Sequence, residues 1–206
     1  MSFIPEAHIE ERAAALWQQY RLHPGFDIER LLDHLGLGLL WDDIPYHAGG
    51  RILGQLLPEQ RLVVLNERHL HALEEKNGRL RRYTIGHEIG HWDLHAEVLR
   101  SGAQRLFAGG RTWCRASSPD PLERQAEMYA AALLLPRDRL QAELPNRPWR
   151  GWPTVYRLAE RFMVNITPMR IRLERLGWAH INADGIPISG PMPPPGQGQL
   201  LDGSTG

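Results

Sequence analysis

One stretch constrains this chain more than any other: Tyr83 to His95, read as Y-T-I-G-H-E-I-G-H-W-D-L-H. Residues four apart on an α-helix stand one above the other on the same face. His87 and His91 can therefore offer two imidazole nitrogens to a single cation, at about 2.0–2.1 Å each for zinc. Glu88 falls beside that face, placed to accept a proton from metal-activated water. Such a His-Glu-x-x-His helix points to metal-assisted hydrolysis. Gly86 and Gly90 each cost a helix interior about 0.8–1.0 kcal/mol against alanine. They leave room for another backbone or a ligand to come close. Ile85, Ile89 and Trp92 recur at i, i+4 and i+7, a stripe to be buried.

Two histidines leave a catalytic zinc one protein ligand short. A further histidine six residues past the second, with glycine at the third, would complete one known spacing. Those positions hold Glu97 and Leu94, which excludes it. His95 continues the row from His91. That row drifts around the helix by some 40° per step, so three successive turns rarely converge on one ion. His95 is therefore read as a residue that supports a ligand or touches substrate. A later run, L-E-R-Q-A-E-M-Y-A-A-A-L-L-L from Leu122 to Leu135, reads as a second strong helix, ended by Pro136. Its Glu123 and Glu127 lie one turn apart on one face. Glu123 is the candidate third ligand, and Glu127 could orient a ligating histidine through its other ring nitrogen. The alternative is that both are solvated helix carboxylates. An oxyanion stabiliser is also needed, with His95 and Tyr83 as candidates by proximity in sequence.

The 206 residues are 42% hydrophobic, enough for one ordinary core. Formal net charge is zero and the sequence pI is about 7.2, so no global field draws the chain to nucleic acid or membrane. Cys114 is the only cysteine; an internal disulfide is excluded, which suits a reducing cytosol. Its expected place is as a small filler in an aperiodic loop from Ser101 to Pro121, with thiolate ligation as the alternative. The start, M-S-F-I-P-E, has neither a basic nor an apolar leader region, and no stretch approaches the 18 or so apolar residues of a membrane span. A soluble cytoplasmic protein is the expectation.

Ahead of the metal-site helix, Ile9, Ala13, Leu16, Trp17 and Tyr20 have helical spacing. Asp27 can cap a second short helix that Gly36 closes. Leu37 to Trp41, Arg51 to Leu57 and Arg61 to Leu65 read as strands, the last two as a hairpin. Asn66 then caps a polar helix through Lys76, stopped by Asn77-Gly78, and Leu80 opens the metal-site helix, which runs to about Leu99.

On these segments the chain resembles the ImmA/IrrE-type zinc metallopeptidases. R-R-Y-T-I-G-H-E-I-G-H-W-D-L-H and E-R-Q-A-E-M-Y-A-A-A-L-L-L-P carry the likeness. I-L-G-Q-L-L, R-L-V-V-L-N and L-D-H-L-G-L-G extend it to roughly Ile9 through Leu176. The resemblance implies a zincin-like α+β fold, mainly helical, with a small antiparallel sheet against the metal-site helix. It implies one zinc per chain, or another divalent ion such as Mn2+, on His87, His91 and Glu123, with Glu88 as catalytic base. Family members commonly cut, or control the cutting of, helix-turn-helix repressors in phage, mobile-element and stress circuits. The implied partner is thus a protein substrate, a helix-turn-helix repressor. Gly86 stands where the family usually has alanine, and Glu127 where it often has asparagine.

The C-terminal third suggests a helix-turn-helix outline. Val155, Leu158, Ala159 and Phe162 form one short helix; Thr167 is expected to cap a second, with Pro168 at its first position and Gly177 closing it. Arg170, Arg172 and Arg175 would decorate that helix and could meet DNA phosphates. The expected organisation is a metallopeptidase core over 1–146, a helix-turn-helix-like segment packed on it over 147–182, and a disordered proline- and glycine-rich tail over 183–206. Two rival functions remain: a DNA-binding regulator that cuts nothing, and a module that sequesters a repressor without proteolysis.

Overall fold

A computed structural model describes residues 4–45, 52–100 and 120–191. Helix α1 (Glu6–Gln19) buries Ile9, Ala13, Leu16 and Trp17 along one stripe. The Trp17 indole N–H donates to the Leu133 carbonyl at 2.8 Å. In α2 (Ile28–Leu35) the Asp27 carboxylate accepts from the Glu29 and Arg30 N–H groups, and Gly36 closes the helix at φ 65°.

Strands β1 (Gly38–Asp42), β2 (Gly54–Leu57) and β3 (Leu62–Asn66) form a sheet in the order β1-β3-β2. The β2–β3 hairpin is antiparallel, as its turn residues predict. Strand β1, however, pairs parallel with β3, Gly38 opposite Leu62 through Asp42 opposite Asn66, so the sheet is mixed. β2 follows β1 in sequence but lies on the far side of β3, so β3 is central, with β1 beside it in the same direction. Val63, Val64 and Leu65 are accordingly buried.

Asn66 holds this sheet to the helix that follows. Its side-chain oxygen accepts from Arg68 N–H at 3.1 Å, and its side-chain nitrogen donates to the carbonyls of Ile52 at 2.9 Å and Ile44 at 3.3 Å. A short 3-10 turn (Glu67–His69) leads into α3 (Leu70–Arg100). The helix is broken at Glu75–Gly78, where Lys76, Asn77 and Gly78 are all left-handed, at φ 52°, 60° and 68°. This is the stop expected at Asn77-Gly78.

Helices α4 (Pro121–Leu134), α5 (Arg137–Glu143), α6 (Trp152–Arg161) and α7 (Ile166–Arg175) follow. The main apolar cluster takes in Ile9, Leu32, Leu65, Ile85, Tyr129, Leu133, Phe162 and Leu173, so α6 and α7 share it with the metal-site helix; Ile44, Ile52 and Val64 form a second, smaller one. Helix α5 shows too short an apolar pattern to be read from sequence. Helix α7 begins at Ile166 with Asn165 in the cap position, not Thr167, and neither side chain caps it.

The assignment of residues 183–191 to a disordered tail is corrected. Strand β4 (Ala179–Ile181) pairs antiparallel with β5 (Pro187–Ser189). Asp184-Gly185 lies between Ile181 and Ile186, and the Asn182 side-chain oxygen accepts from the N–H groups of Asp184 and Ile186. That is hairpin chemistry, and it outweighs the composition of the segment. Residues 192–206, Cys114 and residues 101–119 of the expected 101–121 loop lie outside the described residues, and Pro121 opens α4.

Candidate metal centre

Helices α3 and α4 run antiparallel in close contact, Gly86 facing Ala130 and Leu134, and Gly90 facing Ala126. A Cβ on Gly90 would lie 3.0 Å from the Ala126 carbonyl oxygen and 3.1 Å from its Cα. This is the close backbone approach that the costly helix glycines predict. Its consequence is to carry Glu123, in the first turn of α4, to the two histidines of α3.

His87, His91 and Glu123 bring one donor atom each to within 4.8 Å of one another. His87 Nε2 and His91 Nε2 are 3.0 Å apart. His87 Nε2 is 3.3 Å from Glu123 Oε2, and His91 Nε2 is 3.3 Å from Glu123 Oε1. Ligands about 2.1 Å from a tetrahedral zinc are about 3.4 Å apart, so the cradle has the size of such an ion. Glu123 Oε1 is fully enclosed without an aligned hydrogen bond. A buried carboxylate oxygen left so is costly, and a cation between the three donors would satisfy it. The residues present therefore fit a divalent metal. His95, as the helical drift argued, is not among the three.

Charge is arranged accordingly. Burial alone would raise the Glu123 pKa, but hydrogen bonding and charge from His87 and His91 hold it far below the ordinary carboxylate range. Burial alone would lower His87; the hydrogen bond with Glu123 and the charges of Glu88, Glu123 and Glu127 outweigh it and raise the pKa to about 9. Without a metal, a proton on His87 Nε2 holds the donors together. Behind His91, its Nδ1 meets His95 Nδ1 at 3.2 Å, and His95 Nε2 meets Gln125 Oε1 at 2.9 Å. Burial, despite the Gln125 contact, lowers the His95 pKa to about 4, so the ring is neutral.

Glu88 is buried, and that burial raises its pKa against the opposing pull of His87, His91 and the Leu56 backbone N–H. The raised pKa suits a group that takes up and returns a proton. Glu88 and His91 lie at the floor of a cleft of about 340 Å³, with Leu99 on one side and Gln55, Leu56 and Leu57 of β2 on the other. β2 is an edge of the sheet. It presses on α3 at Gly54, where a Cβ would lie 2.7 Å from Thr84 Cγ2 and 3.5 Å from Glu88 Oε1.

The other expected residues are distributed differently. Glu127, half-buried one turn beyond Glu123, acts on His87 through charge, and its own pKa is raised by burial. Tyr83 is buried among the charges of Glu127, Arg175 and Arg172, and burial raises its pKa. Neither Tyr83 nor His95 lines the cleft. Arg172 is withdrawn as a nucleic-acid contact: it is 3% exposed and donates to both Glu10 carboxylate oxygens, at 2.6 and 2.8 Å, and to the Leu135 carbonyl. It falls on the buried stripe of α7 with Met169 and Leu173. Arg170 pairs with Glu174 in its own helix, and Arg175 is exposed.

Sequence reasoning missed Gln125 and the Leu56 N–H. Gln125 had a signal: it interrupts the apolar stripe of Leu122, Ala126 and Tyr129. A backbone donor has none.

No helix among the described residues is long and apolar enough to cross a membrane. A Mycobacterium tuberculosis transcriptional regulator has a similar fold, with a TM-score of 0.50 and 17% identity over 82% of this chain and 46% of that one. This chain thus spans about half the length of that regulator, and at that identity the likeness concerns the fold alone. No curated protein matches in sequence. The model of the IrrE N-terminal-like domain of peptidase family M78 matches residues 51–174, more than half of the chain. That segment holds β2, β3 and both helices of the cradle, and the chain belongs to this peptidase family.

Proposed function

We propose that this chain is a zinc-dependent endopeptidase that cleaves a regulatory protein, a helix-turn-helix repressor. The observation that carries the reading is the convergence of His87, His91 and Glu123 beside Glu88, with Glu88 and His91 lining a cleft flanked by the edge strand β2. The three residues would hold the metal, which when bound supplies Lewis acidity and brings the pKa of water towards 7. An extended peptide adds to the outer edge of β2 through main-chain hydrogen bonds. Glu88, aligned by the Leu56 N–H, takes a proton from water. The hydroxide attacks the scissile carbonyl carbon. Glu88 then returns the proton to the leaving amine as the C–N bond breaks. The family supports proteolysis, while the repressor as substrate rests on the sequence resemblance.

The test replaces Glu88 with glutamine, which keeps size and hydrogen bonding but removes the base. Wild type and Glu88→Gln are incubated with a candidate repressor, and fragments are followed on a gel. Zinc content stays near one per chain while cleavage falls by about 10²–10⁴-fold. Equal cleavage by both proteins would remove Glu88 from the mechanism. Binding without cleavage by either would favour a sequestering module.

A further inference from the structure

We propose that Gln125, acting through His95, is a positioning residue that fixes the tautomer of His91, keeping the proton on Nδ1 and the Nε2 lone pair turned into the cradle. The inference rests on the metal-site reading above and extends it to a residue two positions past the third ligand. Gln125 Oε1 can only accept. At 2.9 Å it takes the N–H of His95 Nε2. A neutral imidazole with its proton on Nε2 carries a lone pair on Nδ1. His95 Nδ1, 3.2 Å from His91 Nδ1, must then accept, so His91 Nδ1 is the donor. His91 Nε2 is left bare, facing His87 Nε2 at 3.0 Å and Glu123 Oε1 at 3.3 Å.

One further contact agrees with this direction. The two Nε2 atoms at 3.0 Å need one lone pair between them, and the relay puts it on His91. The relay is sealed: His95 is 2% exposed and Gln125 5%. Water cannot readily substitute for either partner there. A ligating histidine commonly leans on a carboxylate or a carbonyl; here an imidazole and a neutral amide take that place. The amide sets the proton's position without adding negative charge behind the ligand.

The test uses the full chain labelled with 15N in histidine. Long-range proton–nitrogen spectra of the metal-free protein report which ring nitrogen of His91 carries the proton. Competition with a chelator gives zinc affinity for wild type, Gln125→Met and Gln125→Glu. Wild type is expected to show a protonated Nδ1 and a bare Nε2 on His91. Gln125→Met should weaken zinc binding by about 10–100-fold, with the His91 tautomers mixed. Gln125→Glu, which still accepts from His95, should restore wild-type affinity or better. A proton on His91 Nε2 in the wild type would overturn the proposal, and so would Gln125→Met with unchanged tautomer and affinity. The wild-type spectrum decides even if the variants fail to fold. If wild type bound no zinc, the metal reading would fall, and the same spectrum would still decide the relay.

Discussion

Gly90 and Ala126 meet so closely that a β carbon on the glycine would stand 3.0 Å from the Ala126 carbonyl oxygen. One helix crossing at this point brings Glu123 to His87 and His91, and its closeness is testable. In Gly90→Ala the gain in helix propensity, about 1 kcal/mol, is set against overpacking of about 1–3 kcal/mol. The backbone opposite cannot swing away. Gly86→Ala is the control, because its nearest neighbour is the flexible Leu134 side chain at 3.3 Å. Thermal unfolding should show Gly90→Ala destabilised by up to about 2 kcal/mol, with weaker zinc binding. Gly86→Ala should be neutral or stabilised by up to about 1 kcal/mol.

The cradle makes stability and metal affinity run in opposite directions with pH. In the metal-free protein His87, raised to about 9, contributes stability fully present below its unfolded value of 6.5 and lost as pH rises through about 9. His95, lowered to about 4, opposes it on the acid side, since the unfolded chain takes up that proton first below 6.5. Glu123, held low, adds stability above its ordinary 4.5 that is lost as pH falls through its folded value. Metal-free stability should therefore peak near pH 6.5 in chemical denaturation. Zinc must displace the His87 proton, so its apparent affinity should rise about tenfold per pH unit up to about 9 and then flatten. A flat profile from pH 6.5 to 9 would show that His87 carries no proton there.

Asn66 uses its amide in both senses, accepting at the start of the 3-10 turn and donating to Ile44 and Ile52. Asn66→Ala should cost on the order of 2–3 kcal/mol, since two buried carbonyls lose their donor. Asn66→Asp separates the roles. It keeps the cap but points a carboxylate oxygen at two carbonyls, so at pH 7 it should destabilise at least as much as alanine. Denaturant titration at pH 7 and again below about pH 4 should show Asn66→Asp regaining part of the loss as the carboxylate protonates.

Arg172 ties α7 to α1 through Glu10, and to the end of α4 through Leu135. Arg172→Ala should destabilise by about 3 kcal/mol, the lower end for a broken buried pair, because Glu10 remains 30% exposed and can be hydrated. Arg170→Ala removes a half-buried pair one turn apart within a single helix and should cost about 0.3–0.5 kcal/mol. Equal melting temperatures for the two variants would contradict this division of roles.

Much of this was legible in the sequence because it is local. Helical spacing put His87 and His91 on one face, glycine and asparagine marked the break at 77–78, and Asp27 and Gly36 bounded α2. The same chemistry predicted the β2–β3 hairpin. The parallel pairing of β1 was not legible, because pairing direction depends on where the intervening chain passes. The β4–β5 hairpin was obscured by composition, proline and glycine outweighing the Asn182 turn.

By itself the sequence determined the two-histidine helix, its glycines and the acidic residue beside His87, since each follows from periods of about 3.6 residues within one segment. Only the tertiary structure decided which of Glu123, Glu127 and His95 completes a three-donor group with those histidines, because that depends on the contact between α3 and α4. It also decided that Arg172 is a buried tie and that Gln125 stands behind His95. A helix's own period says which residues share a face. What that face meets is set by packing against chain far away in sequence, where a shift of an ångström exchanges one partner for another.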